Sequence, residues 1–260
     1  MFYLSDKELT DALCFLVQQR GVTVRVLTGN RMDTPAHRPT LERLAQHGVS
    51  VHVLPMTGTA LMHMKCAVID GETVIAGTAN WTPTAFAQNF EDTLALHSPE
   101  LGRLYSTHLE SLLAKAEPFY SQSSGTQAKD RIRFPEINRP ASSKSADRFQ
   151  PPGIRTVRDI RQAEVYFHPG REGIRHLLSQ ARAATQRIDI GMYLVNDPEV
   201  VQTLIDIARD GKVQIRMLID AGMLAGNLLN SAQQLGEAGI DIHYYQKDRE
   251  SLHLKTAVMD

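Results

Sequence analysis

The chain has 260 residues, 42% hydrophobic and 22% charged, with a formal net charge of −1. That length suits two lobes, and near-neutral charge argues against a large basic nucleic-acid surface while leaving local patches open. No apolar run reaches the roughly 18 residues that would span a membrane, and the N-terminus shows no secretory-signal pattern. Cys14 and Cys66 make neither a metal-ligand nor a disulfide framework.

Residues 1–5, MFYLS, read as the end of a strand. The helical spacing of Leu9, Leu13, Leu16 and Val17 predicts a helix from Asp6 to Gln19, closed by Gly21. The β-branched run Val22–Leu27 predicts a strand, Thr40–Gln46 a second helix ended by Gly48, and Val51–Leu54 a short strand. Next comes LMHMKCAVIDGETVIAGTANWT (61–82), where Met64, Cys66 and Val68 alternate with His63, Lys65 and Ala67. On a strand this alternation places His63 and Lys65 on one face and the apolar set on the other. Asp70-Gly71 is a turn signal and Thr73–Ala76 the returning strand of a hairpin, which brings Gly77, Thr78 and Asn80 back beside His63 and Lys65. Cys14 and Cys66 fall on apolar faces and read as buried free thiols. A strand at Glu91–His97 and an amphipathic helix over Pro99–Ala116 follow.

From 120 to 161 the composition shifts to Ser, Pro and charge with few large apolar residues, the pattern of a polar linker. Beyond it the expected order is strand Ala163–Phe167, helix Arg171–Thr185, strand Ile188–Leu194 and helix Pro198–Arg209. Strand Val213–Ile219, helix Met223–Ala238 and strand Ile240–Tyr245 come next. This alternation predicts an α/β lobe with a largely parallel sheet.

The two halves repeat each other. MFYL (1–4) matches GMYL (191–194), VTVRVL (22–27) matches VQIRML (213–218), and LAQHGVSVHVLP (44–55) matches LGEAGIDIHYYQ (235–246). His63, Lys65 and Asp70, spaced HxKxxxxD, recur as His253, Lys255 and Asp260. The expected organisation is a first lobe over 1–119, the linker, and a second lobe over 162–260. Lobe 2 has a strand and helix with no counterpart before Met1, and lobe 1 has a GTxN turn, strand and helix with no counterpart after Asp260. Both lobes are therefore expected to be incomplete, with exposed sheet edges open to self-association.

The doubled HxKxxxxD, with Gly77-Thr78-Ala79-Asn80 after the first copy, resembles the phospholipase D superfamily, whose hallmark is a pair of such motifs. The resemblance implies two α/β lobes related by a pseudo-two-fold axis, and a phosphodiesterase working through a phosphohistidine with no metal or cofactor. It makes His63 the nucleophile and His253 the general acid, roles imidazole suits because it titrates near neutral pH. Lys65, Lys255, Thr78 and Asn80 become phosphate-binding groups. Asp70 and Asp260 complete the catalytic motifs by setting loop and strand geometry. Glu91, in Asn89-Phe90-Glu91, accepts a hydrogen bond from an imidazole and fixes its tautomer. Two departures stand out: Thr78 replaces the usual Ser, and no second Gly-Ser-x-Asn or Glu follows His253, which leaves that histidine without positioning groups of its own.

The tail from Asn80 to Glu91 is more similar to phospholipase D-like hydrolases and small bacterial nucleases than to cardiolipin synthases, since Pro83-Thr84-Ala85 stands where those carry Arg-Ser. Near-neutral charge favours a phospholipid over nucleic acid as the phosphodiester. A nuclease of the same superfamily, and a non-catalytic fragment or degenerate member, are the alternatives. Trp81 is expected to pack beneath the catalytic floor, His168 to border its mouth, and His37, His47, His97, His108 and His176 to be solvated.

Overall fold

The computed structural model describes residues 1–121, 157, 160, 162–224, 228–246 and 250–260. Asp6 starts α1 (Lys7–Arg20) by accepting the Leu9 N–H at 3.0 Å, and Gly21 closes it at φ 64°. Next come β1 (Arg25–Gly29), α2 (Arg38–Gln46) and β2 (Ser50–Leu54), the last parallel to β1 as a βαβ unit requires. The antiparallel strands β3 (Cys66–Ile69), β4 (Thr73–Gly77) and β5 (Thr93–His97) form a separate sheet, with the short helix α3 (Pro83–Ala87) between β4 and β5. Helix α4 (Pro99–Leu113) leads to β6 (Glu117–Pro118), which joins β2 antiparallel. Leu4, Cys14, Met32, Leu41, Leu44 and Val51 fill the core on the α1 and α2 side. On the other side Leu109, Leu112 and Leu113 of α4 cover Leu27, Leu54 and Met62.

The second lobe runs α5 (Glu172–Ala183), β7 (Arg187–Met192), α6 (Pro198–Asp210), β8 (Gln214–Asp220), a 3₁₀ turn (Ala221–Leu224), α7 (Leu228–Glu237), β9 (Asp241–Tyr245) and β10 (Lys255–Met259). Strands β7, β8 and β9 are parallel, and β10 adds antiparallel beside β7 in the order β10-β7-β8-β9. Ile188 and Ile190 of β7, with Ile215, Met217 and Ile219 of β8, alternate onto one buried face. That face packs against Val201, Leu204 and Ile205 of α6 and Leu235 of α7.

Several expectations change. Ala163–Phe167 forms no strand, because no sheet edge receives it; instead Phe167 stacks on His108 of α4, centroids 4.0 Å apart, and meets Tyr105 edge-on at 5.1 Å. His108 is thereby a lobe contact, and His47 is buried with Nδ1 2.7 Å from the Arg43 carbonyl, so neither is simply solvated. Strand β3 begins only at Cys66, leaving His63 and Lys65 in the extended segment before it. The expected helix from Met223 divides into the 3₁₀ turn and α7, and α3 and β6 were not foreseen. Most of the expected linker, 120–161, lies outside the described residues.

Residues 1–4 lie between β1 and the first motif. The Met1 nitrogen donates to the Leu27 carbonyl, Thr28 Oγ1 donates to the Met1 carbonyl at 2.8 Å, and the Phe2 N–H donates to the Met64 carbonyl at 3.0 Å. In lobe 2 the Tyr193 N–H donates to the Leu254 carbonyl at 2.9 Å. Met64 and Leu254 each separate a motif His from its Lys, so Phe2 is the counterpart of Tyr193. The repeat is thus shifted by one residue from the MFYL/GMYL match. Asp197 caps α6 as Asp6 caps α1, in the same shifted register.

Candidate active site

Met62 is buried beneath α4 and anchors the first motif, so that His63 turns to the surface and Lys65 inward. The Lys65 side chain is enclosed, the residue being only 6% exposed. Its Nζ donates to the His63 carbonyl at 2.9 Å and lies 3.0 and 2.8 Å from the His63 Nδ1 and Nε2. The Phe2 ring packs against His63, centroids 4.6 Å apart, and lies 5.0 Å from the Lys65 ammonium. Burial, and then the positive charge of Lys255, lower the Lys65 pKa to about 7 against a smaller opposing pull from Glu91. His63 is lowered to about 4, first by dehydration and then by Lys65, Lys255 and His253. Two of them belong to the second motif, which puts both motifs in one electrostatic site.

Docking of the lobes brings a carboxylate to the second motif. A parallel bridge joins Phe90 to Leu252: the Phe90 N–H donates to the Ser251 carbonyl at 2.9 Å, and the His253 N–H donates to the Phe90 carbonyl at 3.1 Å. Glu91, one residue further on, then reaches His253, with Oε2 2.9 Å from Nδ1 and side chains 6% and 17% exposed. The expectation that His253 has no positioning carboxylate is corrected, since Glu91 comes to it from the other lobe. A carboxylate at Nδ1 makes that nitrogen the donor and leaves Nε2 for chemistry. Burial pushes the Glu91 carboxyl up, but hydrogen bonds with His253, Thr78 and Asn89 outweigh it and hold the carboxyl below its usual range. Lys255 donates to the His253 carbonyl at 2.7 Å, and the Tyr193 ring lies 5.2 Å from His253 and 5.7 Å from the Lys255 ammonium. Dehydration lowers the Lys255 pKa, with Glu91 and Asp92 opposing.

The turn after β4 positions this carboxylate. A Cβ on Gly77 would lie 2.2 Å from the Asp92 carbonyl, so only glycine lets β4 and β5 approach so closely. Thr78 Oγ1 accepts the Asp92 N–H at 3.0 Å and also bonds Glu91. Through these bonds Thr78 helps hold Glu91 in place. Asp92 ties the lobes further by accepting from Thr256 Oγ1 at 3.0 Å. The buried Asn80 Oδ1 has no hydrogen-bond partner among the described residues. Trp81 packs on the lobe 1 core, and its backbone bonds Tyr3, Ser5 and Asp6.

The motif aspartates stand apart from the imidazoles. Asp260 accepts from Thr185 N–H and Oγ1, Gln186 N–H and Arg187 N–H at 2.6 to 3.3 Å, which fastens the end of β10 to the start of β7. Those bonds, with Thr185 foremost, hold its carboxyl far below the usual range. Asp70 occupies the hairpin turn at φ 53° and makes no side-chain hydrogen bond among the described residues. His168 Nδ1 lies 3.0 Å from the Gly170 carbonyl. Phe2, Tyr193 and Asp92 were not singled out in the sequence; the aromatic at the same place in both repeats was the available signal for the first two.

A family profile described as "Cardiolipin synthase, PLD-like domain" matches residues 1–113 and 174–260. The mitochondrial cardiolipin hydrolase of Danio rerio is 33% identical over 118 residues, which is 45% of this chain and 51% of that protein. That of Xenopus laevis is 34% identical over 119 residues, 45% of this chain and 54% of that protein. The chain thus spans about half the length of the curated relatives it matches. The crystal structure of phosphatidylserine synthase from Haemophilus influenzae Rd KW20 superposes with a TM-score of 0.56 at 12% identity, covering 98% of this chain and 74% of that one, a likeness of fold. The profile takes in most of both lobes, and the two HxKxxxxD motifs it spans meet across them: the chain belongs to the PLD-like domain family of the phospholipase D superfamily.

Proposed function

We propose that the chain is a phosphodiesterase that cleaves a phospholipid through a phosphohistidine on His63. The observation that carries this reading is the 2.9 Å pair between His253 and Glu91 across the lobes, beside a neutral His63 and two lysines. The His63 imidazole attacks phosphorus while the bond from phosphorus to the leaving oxygen breaks, and His253 gives that oxygen its Nε2 proton. Water then attacks the phosphohistidine, His253 takes the water's proton, and phosphate monoester leaves as His63 is released. Lys65, Lys255 and the Asn80 amide stabilise the charge on the non-bridging oxygens. Glu91 keeps His253 in the required tautomer, and Asp70 and Asp260 shape the motif ends. Cardiolipin, an anionic diester lipid and the substrate in the relatives' names, is the first to test.

The test is mass spectrometry of protein quenched at neutral pH, with hydrolysis assays on cardiolipin vesicles and single-stranded DNA in parallel. His63→Ala should abolish the phosphohistidine, and His253→Ala should retain activity on aryl diesters with good leaving groups. Phosphate trapped on His253 would reverse the roles. DNA cleavage without lipid cleavage would move the substrate to nucleic acid, and no cleavage of either would remove the reading. Self-association through β9 and β10, the edges of their sheet, is part of the same proposal: Val258 on β10 is 63% exposed. Sedimentation of a single monomeric species across concentrations would dismiss that part.

A further inference from the structure

Each motif rests on an aromatic ring from the opening strand or strand-like segment of its own lobe. Phe2 lies against His63 and the Lys65 ammonium, and Tyr193 against His253 and the Lys255 ammonium, with backbone bonds to Met64 and Leu254 that make the two rings counterparts. The two repeats thus share one arrangement: a ring against a histidine and lysine pair.

The lysines need such support. Lys65 faces His63, Lys255 and the Met1 amino group, with Glu91 the carboxylate acting on it among the described residues, and Lys255 faces His63, Glu91 and Asp92. Another carboxylate would secure the ammonium charge but would also neutralise it and occupy donors meant for phosphate. An aromatic face does neither. Its quadrupole presents negative potential to the cation and takes up no N–H, and the attraction strengthens where water is excluded.

We propose that Phe2 and Tyr193 are positioning residues that keep Lys65 and Lys255 charged and fix the facing imidazoles, each ring serving its own motif. The assignment of those lysines to phosphate rests on the phosphodiesterase reading, whereas the effect on the ammonium groups does not.

The test is NMR titration of the lysine ammonium groups in the full chain. With Phe2→Leu, which keeps an apolar cover, the Lys65 pKa should fall by about one unit, tenfold in proton affinity, while that of Lys255 does not fall. Tyr193→Leu should do the converse, and Tyr193→Phe should restore the wild-type value. If the rings merely exclude water, their removal hydrates the site and the pKa rises, which would overturn the proposal. Should Phe2→Leu fail to fold, progressively fluorinated phenylalanine at position 2 preserves shape while draining the ring face. A graded fall in the Lys65 pKa then supports the proposal and a flat series overturns it. Where turnover is measurable, the alkaline limb of kcat/KM moves down with the pKa. Absent turnover in the wild type would sink the phosphodiesterase reading and leave the titration result standing.

Discussion

Replacing Lys65 by methionine removes an enclosed ammonium while keeping its apolar stem. Inside the fold this lysine titrates at about 7 instead of 10.5, so its charged form is disfavoured there relative to the unfolded chain. The unfolded state binds the proton more tightly between those values, so the penalty is complete below pH 7 and fades as pH rises through 10.5. It amounts to roughly 4 kcal/mol at pH 7 and roughly 2 kcal/mol at pH 9. Methionine also forfeits the bond to the His63 carbonyl, worth about 1 kcal/mol. The net stabilisation is then about 3 kcal/mol at pH 7, a rise in Tm of roughly 6–12 °C for a chain of this size. Phosphodiesterase turnover should fall by orders of magnitude in the same variant. Calorimetric melts of both proteins at pH 7 and pH 9 provide the comparison. A variant that melts lower at pH 7, or an equal gap at both pH values, would refute the burial argument.

Glu91→Gln should cut kcat by about 10²-fold or more while the protein still folds, since the amide no longer demands a proton on Nδ1 of His253; unchanged turnover would contradict the pairing. The kcat/KM profile should rise through about pH 4, where His63 loses its proton, and fall through about pH 7, where Lys65 loses its charge. An acid limb at the ordinary histidine pKa would show that His63 is not shielded as described. Asp260→Ala should lower Tm at neutral pH by freeing β10 from residues 185–187. Because the folded Asp260 pKa is depressed, its contribution is present above the ordinary carboxyl range and lost on acidification, so the gap between variant and wild type should close at low pH.

Much of this arrangement was legible in the sequence. Periodicity and capping residues located most helices and strands, and HxKxxxxD marked both motifs because its residue types are so specific. Long-range pairing was not legible. Glu91 and His253 are 162 positions apart, and it is the bridge between Phe90 and Leu252 that sets them side by side. Ala163–Phe167 reads as a strand in the sequence, yet a strand needs a partner, and Phe167 packs on the rings of α4 instead. Aligning MFYL with GMYL by identity set the rings one position out of step, since hydrogen-bond register and not residue identity decides which side chain lies beneath the motif. Helix α3 is too short for periodicity to reveal; Thr82-Pro83, a cap followed by proline at the first turn, was its only local mark.

The route from Glu91 to His253 makes the site a sensor of assembly. Each lobe has its own core, yet neither alone contains both members of the Glu91–His253 pair. On the proposed mechanism His253 gains its carboxylate only when the seam at Phe90 closes in register, so a misdocked chain lacks a positioned acid. On the proposed phospholipid cleavage, such an interlock keeps an unassembled chain inert. Its signature would be a refolding time course in which activity lags the secondary structure and keeps pace with the docking of the lobes.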